Sequence, residues 1–137
     1  KIANLFNRDG GPEPPVGISV PQAMYDDFVK ISEPIQKIRP DYPFEVKVRE
    51  PRKRPTRMGG TDASVFAIEG VPTLGFTTED FKGYDFDYGE IWHTERDLYT
   101  KNIPEYQEHT ATVTAIIALG VANLDKQLSR EGLYTEE

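Results

Sequence analysis

Apolar and polar residues alternate along the chain in segments that predict strands. The apolar run at residues 1–6 predicts a buried strand, which ends at the turn formed by residues 7–11. Residues 16–20 predict a second strand or the beginning of a helix, and the alternating residues 44–48 predict a half-buried strand. A compact apolar run over residues 71–76 predicts a further strand.

Three segments have the spacing of amphipathic helices. In the first, apolar residues recur every three or four positions: Met24, Phe28, Ile31, Ile35 and Ile38. Pro21 suits the first turn of this helix, whereas Pro34 predicts a kink or a break near Ser32 and Glu33.

The other two predicted helices lie in the second half of the chain. A short helix over residues 63–69 would be capped by Asp62 and ended by Gly70. The last helix is predicted to begin at Pro104 and to end near Gly132. Its apolar face consists of Val113, Ile116, Ile117, Val121, Leu124 and Leu128.

The alternation of strands and helices predicts the α/β fold class, with helices that cover a sheet. No repeat or linker divides residues 1–137, so we predict a single unit. Three or four strands are few for a sheet covered on both faces, so we expect this unit to be part of a larger domain. Residues 77–99 are acidic, aromatic and irregular, and a loop of this length inside a domain is usually functional.

Composition narrows the classes of partner. The net charge of −7 disfavours nonspecific binding to nucleic acid or to an anionic membrane. No apolar run approaches the roughly 20 residues that span a bilayer. The chain has no cysteine, which excludes disulfides and thiolate metal sites. Any metal ligands must therefore be His, Asp or Glu, and the chain has only two His.

Asp9 and His93 are the candidate metal ligands, because each lies where an apolar segment ends and a loop begins. A carboxylate and an imidazole are ligand types that hold zinc. Asp9 follows the first predicted strand at its carboxyl end, where open α/β sheets place their ligands. The alternative interpretations are a plain turn at Asp9 and a half-exposed packing role for His93 beside Trp92.

Other polar residues have simpler interpretations. His109, in the last predicted helix, is expected to pack or to form hydrogen bonds inside the fold. The only basic cluster is expected to be a solvated loop or a partner contact: Arg49, Arg52, Lys53, Arg54 and Arg57. The chain lacks the HExxH zinc motif, the GxSxG nucleophile elbow and the GxxxxGK[ST] phosphate loop.

Taken in order, the segments resemble the C-terminal half of a zinc exopeptidase domain of the M28 family, the aminopeptidase and carboxypeptidase Q group. The matching segments are the turn Asn7-Arg8-Asp9, GGTDASVF at 59–66, GVPTLGF at 70–76, WHTERD at 92–97 and the long apolar helix. The resemblance implies part of a mixed-sheet, phosphorylase/hydrolase-like domain with flanking helices. It also implies peptide-bond hydrolysis by water activated between two zinc ions.

The resemblance assigns roles to individual residues. Asp9 would bind one zinc ion and His93 the other, and Tyr88, Trp92 and Phe86 would line the substrate pocket. The bridging Asp, the second His, a Glu ligand and the general-base Glu would belong to a preceding half of the domain. No catalytic residue is then expected in this chain, and the chain alone would be inactive.

Asp62 would be a helix cap or an acceptor that orients a neighbouring group near the metal. Two positions depart from the family pattern: Ala63 replaces a common His, and Arg8 replaces an apolar residue. Two alternative functions remain: an acyltransferase similar to glutaminyl cyclase with fewer metal ions, and a noncatalytic peptidase-like interaction domain. The expected partners are a peptide and the preceding half, with a homo-oligomer possible. By resemblance, the protein would be secreted or periplasmic.

Overall fold

The computed structural model describes residues 2–135 and has a mixed α/β fold, as the order of the segments predicts. The strands are β1 (Leu5–Phe6), β2 (Pro15–Val20), β3 (Glu45–Val48), β4 (Thr73–Leu74) and β5 (Phe76–Thr78). The α-helices are α1 (Tyr25–Ile38), α2 (Ala63–Ile68), α3 (Tyr88–Ile91) and α4 (Pro104–Ala122). Short 3₁₀ turns cover Gln22–Met24 and Tyr99–Lys101.

The strands form two small sheets. β1 pairs with β4 in parallel, with Phe6 opposite Leu74. In the second sheet, β2 lies between β3 and β5, parallel to β3 and antiparallel to β5. The expected single strand over residues 71–76 is wrong, because the chain leaves the first sheet after Leu74 and enters the second at Phe76. Gly75 lies between the two strands and has no side chain to pack in either sheet.

The main core lies where β2 and α1 pack against α4 and the segment after it. Its buried residues are Ile18, Val20, Met24, Phe28, Ile35, Leu74, Val113, Ile117, Leu128 and Leu133. Two glycines allow close approaches within this core. A Cβ on Gly17 would lie 2.5 Å from the backbone oxygen of Glu45, and one on Gly120 would lie 2.4 Å from Cγ2 of Ile31. Neighbouring strands and helices are therefore closer there than any larger residue permits.

Two features of the helices differ from the sequence-based expectations: the break at Pro34 is absent, and the last helix ends earlier. α1 runs through Pro34 without a break, although proline cannot donate the hydrogen bond that Lys30 would accept. Burial of Phe28 and Ile35 on either side of the proline stabilises the helix by tertiary packing. α4 ends at Ala122 instead of near Gly132. The apolar pattern continues past the helix because the irregular segment that follows also packs on the core, through residues such as Leu128.

The short helix α2 has the predicted end but a different cap. Gly70 has a left-handed φ of +70°, and Val71 donates its N–H to the Phe66 oxygen over 3.0 Å, as in a glycine C-terminal motif. Asp62 makes no capping hydrogen bond with its side chain. The hydroxyl of Thr61 accepts the N–H of Ala63 instead, over 3.0 Å. The predicted cap is therefore wrong by one position, since the hydroxyl of Thr61, and not the carboxylate of Asp62, accepts the N–H of Ala63.

Candidate functional site

Asp9 and His93 lie on the same face of the molecule and line two cavities of about 600 Å³ each. We call the first the rim cavity; besides Asp9 and His93, its walls include Arg8, Gly11, Pro12, Tyr88, Ile91, Trp92, Asp97, Leu98, Tyr99, Lys101, Asn102 and Gln107. The second, the glycine-loop cavity, is also lined by residues 58–62. Tyr88 and Trp92 belong to both walls, so the cavities meet at the two candidate ligands.

The turn after β1 holds Asp9 in place through Asn7. The side-chain amide of Asn7 donates to a carboxylate oxygen of Asp9 over 2.9 Å and to the hydroxyl of Thr61 over 3.3 Å. One amide therefore joins the aspartate turn to the loop before α2. Gly11, with φ +67°, closes the turn under residues 77–99, which we call the acidic loop, since a Cβ on Gly11 would lie 3.0 Å from the Phe86 ring. The turn is thus packed on one side and open on the side of Asp9, which is exposed.

His93 follows α3 in a left-handed conformation with φ +55°, a region that a residue other than glycine enters at a cost. Its imidazole stacks on the indole of Trp92, with ring centroids 4.3 Å apart and planes inclined by 29°. Thr94 fixes the chain just beyond it, because its N–H and its hydroxyl both donate to the Ile91 oxygen over 3.0 Å. Both the backbone and the ring of His93 are therefore held, while the residue itself remains exposed.

Asp80 orders the beginning of the acidic loop, and nothing in the sequence analysis singled it out. Its carboxylate accepts the N–H groups of Tyr84 over 3.0 Å and Asp85 over 2.7 Å, and the hydroxyl of Tyr106 over 2.6 Å. The Tyr106 hydrogen bond lowers the pKa of Asp80. Burial, with help from Asp80, raises the pKa of Tyr106 to about 12. An aspartate followed by an aromatic run and a glycine was the only sequence signal for this arrangement.

A second polar cluster lies beneath that loop. The ammonium of Lys82 is 2.6 Å from a Glu105 oxygen, which also accepts the hydroxyl of Tyr42 over 2.9 Å. The Glu105 hydrogen bond raises the pKa of Lys82, and Lys82 in turn lowers the pKa of Glu105. His109 stacks on Tyr42 at 4.0 Å, and its Nε2 is 3.1 Å from the Pro15 oxygen. The expected packing and hydrogen-bonding role of His109 is therefore confirmed.

The predicted substrate-binding residues take different places. Tyr88 and Trp92 line both cavities, whereas Phe86 appears in neither wall and is half-buried against Gly11. Asp62 lines the glycine-loop cavity. Tyr99 was not predicted as a site residue, but it lines the rim cavity and is 90% exposed. Its position at the end of the long loop was the only available signal.

The described residues alone do not form a complete metal site. Within residues 2–135, no three His, Asp or Glu side chains lie close enough together to hold an ion. Asp9 and His93 offer one carboxylate and one imidazole, which are suitable zinc donors but too few, since zinc sites in proteins use three or four.

Comparison of the chain with protein-family models, with curated proteins and with solved structures found no match. Among residues 2–135, no helix is both long enough and apolar enough to cross a membrane.

Proposed function

We propose that this chain forms one wall of the active site of a zinc-dependent exopeptidase. The observation that carries the proposal is the position of Asp9 and His93, which line the same two cavities although they come from distant segments. The order of the sequence motifs, which resembles the M28 peptidases, supports the same function. The two α/β sheets would then belong to a larger mixed-sheet domain, within an exported protein.

In this proposal, Asp9 and His93 each give one ligand to one of two zinc ions, and a preceding half of the same domain gives the others. Bound zinc would lower the pKa of a water and polarise the scissile carbonyl. The general base would be a glutamate of that preceding half. What supports this division is that the two donors line the same two cavities.

The residues around the two donors would orient them and the peptide. The Asn7 amide fixes the carboxylate of Asp9, as outer hydrogen bonds commonly fix metal ligands. Trp92 fixes the ring plane of His93 by stacking. Tyr88 and Trp92 offer aromatic surface at the junction of the cavities, where a side chain of the peptide would pack.

The test is to measure zinc content and peptide hydrolysis on the full-length protein, with and without a chelator. We expect His93→Ala and Asp9→Ala to lower both zinc content and kcat, with at least about a hundredfold loss in kcat. Glu95→Ala is the matched control, since Glu95 is exposed, lies near His93 and lines neither cavity. Unchanged zinc content and activity in both ligand variants would contradict the proposal.

The number of zinc ions separates the alternative functions. Two ions per full-length chain, with chelator-sensitive peptide hydrolysis, would support the exopeptidase. One ion, with cyclisation of an N-terminal glutamine, would favour the acyltransferase. A protein that binds no zinc and hydrolyses no peptide would instead be a noncatalytic interaction domain.

A further inference from the structure

A small pocket next to the glycine-loop cavity has no acidic residue in its wall. It encloses about 270 Å³, and we call it the side pocket. Its polar wall consists of Arg52, Lys53, Thr61, Ser64 and Thr73, and no Asp or Glu among residues 2–135 lines it. The chain has 23 Asp and Glu residues, so the side pocket departs locally from an acidic composition. Thr61 and Ser64 also line the glycine-loop cavity, and the two spaces therefore adjoin.

The wall of the side pocket presents hydrogen-bond donors. Nη2 of Arg52 donates to the backbone oxygen of Thr73 over 3.3 Å and to its hydroxyl over 2.7 Å, which fixes the guanidinium at the wall. The Thr73 hydroxyl is an acceptor in that bond, and it donates to none of the described residues. The Thr61 hydroxyl accepts the N–H of Ala63 and likewise donates to no residue in the described part of the chain. Two hydroxyl hydrogens are therefore left for a ligand that accepts hydrogen bonds.

The two cations of the wall have no counter-ion. Neither Arg52 nor Lys53 forms an ion pair with a carboxylate of residues 2–135. Arg49 adds to the positive charge, because burial and then the nearby charge of Arg52 lower its pKa. An anion bound in the side pocket would offset the repulsion among these cations.

The size and lining of the side pocket indicate which anion fits. Its volume of about 270 Å³ admits a side chain, and Pro55, Ala63 and Ala67 offer apolar surface for methylene groups. No aromatic residue among those described lines it, so a nucleic-acid base would have no ring to stack on. The net charge of −7 also repels a long polyanion. A carboxylate on a short aliphatic stem, as in Glu or Asp, has the matching properties.

We propose that the side pocket binds an acidic side chain of the peptide that occupies the glycine-loop cavity. This inference rests on the proposed exopeptidase function, and it names acidic peptides as the preferred substrates. The peptide passes over Thr61 and Ser64, which line both spaces. Asp62 lines the glycine-loop cavity but not the side pocket, so its charge favours an acidic side chain on the side of Arg52. The bonds that hold Arg52 before the peptide arrives lower the entropic cost of binding.

The test compares peptides that differ only in the charge of two side chains. Isothermal titration calorimetry measures their binding to the full-length protein at low salt, in the presence of a chelator. One pair has a free N-terminus: Leu-Ala-Glu-Glu-amide and Leu-Ala-Gln-Gln-amide. The other pair has a free C-terminus: acetyl-Glu-Glu-Ala-Leu and acetyl-Gln-Gln-Ala-Leu. The blocked ends carry no charge beside the acidic residues, and the pair with the larger difference shows on which side of the peptide they lie.

We expect the wild-type protein to bind the Glu peptide of at least one pair about tenfold more tightly than its Gln counterpart. This ratio should fall to about threefold in Lys53→Gln and to near one when Arg52→Gln is added. Arg54→Gln is the matched control, since Arg54 belongs to the same basic cluster, donates to the Ile68 oxygen and does not line the side pocket. Its ratio should stay within about twofold of the wild-type ratio. Circular dichroism and thermal unfolding verify that each variant is folded.

The absence of any preference for the Glu peptides in both pairs would overturn the inference. Equal losses in Lys53→Gln and Arg54→Gln would overturn it as well, because the preference would then come from the charge of the whole basic cluster. Tighter binding of a single-stranded oligonucleotide than of either Glu peptide, lost in Lys53→Gln, would instead assign this surface to nucleic acid. None of these results depends on zinc or on hydrolysis, because a chelator is present. A failure of the side pocket is therefore distinct from a failure of the exopeptidase proposal, which is judged by zinc content and turnover.

Discussion

The two histidines of the chain have opposite environments. His109 is fully buried, stacked on Tyr42 and bonded to the Pro15 oxygen, and burial lowers its pKa. His93 is exposed at the junction of two cavities, in a left-handed backbone conformation. The first is held by the fold in a way that leaves no room for a ligand. The second is held so that its ring faces open space, which is the arrangement that a ligand requires.

The same contrast extends along the acidic loop. At its beginning, Asp80 and Lys82 are bonded to side chains of α4, namely Tyr106 and Glu105. At its end, Trp92, Leu98 and Tyr99 are exposed, and the hydroxyl of Thr94 donates only to oxygens of the loop itself. A loop that is fixed at one end and open at the other can hold a binding surface without covering it. We therefore expect substitutions at the beginning of this loop to change stability, and substitutions at its end to change binding.

The largest expected effect on stability is at the buried histidine. His109→Ala should lower the free energy of unfolding by about 3 kcal/mol, since it leaves a cavity beside Tyr42 and removes the bond to Pro15. His93→Ala should change it by less than about 0.5 kcal/mol, because the residue is exposed. Denaturant unfolding of both variants measures the difference. Equal losses would show that the contrast between the two histidines is wrong.

A smaller effect concerns pH and acts through the same buried ring. The folded-state pKa of His109 lies below the ordinary value of 6.5, because burial disfavours the imidazolium. Below about pH 6.5 the unfolded chain therefore binds more protons than the folded protein. The contribution of His109 to stability is complete above that pH and declines as the pH falls through it.

Unfolding measured from pH 7.5 to pH 5 should show this decline in wild type and in His93→Ala. Four other polar groups also lie near the His109 and Tyr42 rings: Arg39, Asp41, Lys82 and Glu105. His109→Gln isolates the histidine from these groups, since it keeps them and removes the titrating ring. An unchanged pH slope in His109→Gln would assign the decline to other residues.

The parts of the fold that were predictable are those with a local signal. The α1 stripe, the C-terminal glycine of α2 and the start of α4 at Pro104 follow from spacing and backbone chemistry alone. That Asp9 and His93 line the same cavities was expected only from the resemblance, which assigns both to one two-zinc site.

The features that were missed depend on long-range contacts. The hydroxyl of Tyr106 reaches Asp80 across 26 positions of the chain, so neither residue signals the other locally. The change of sheet at Gly75 depends on two distant strands, because β4 pairs with β1 and β5 pairs with β2. The end of α4 was misplaced because Leu128 is apolar and buried whether or not it lies in a helix. Tertiary packing decided each of these cases.

The smallest expected effect tests whether His93 is kept at a cost to stability. With φ +55°, a residue that carries a Cβ is strained there, whereas glycine is not. His93→Gly should therefore be more stable than His93→Ala by about 1 kcal/mol, and both variants lose the same stacking on Trp92. Denaturant unfolding measures this difference, and zinc content should be low in both. If alanine is as stable as glycine, the backbone at His93 relaxes when the imidazole is removed. The imidazole then holds the conformation, and the turn does not impose it.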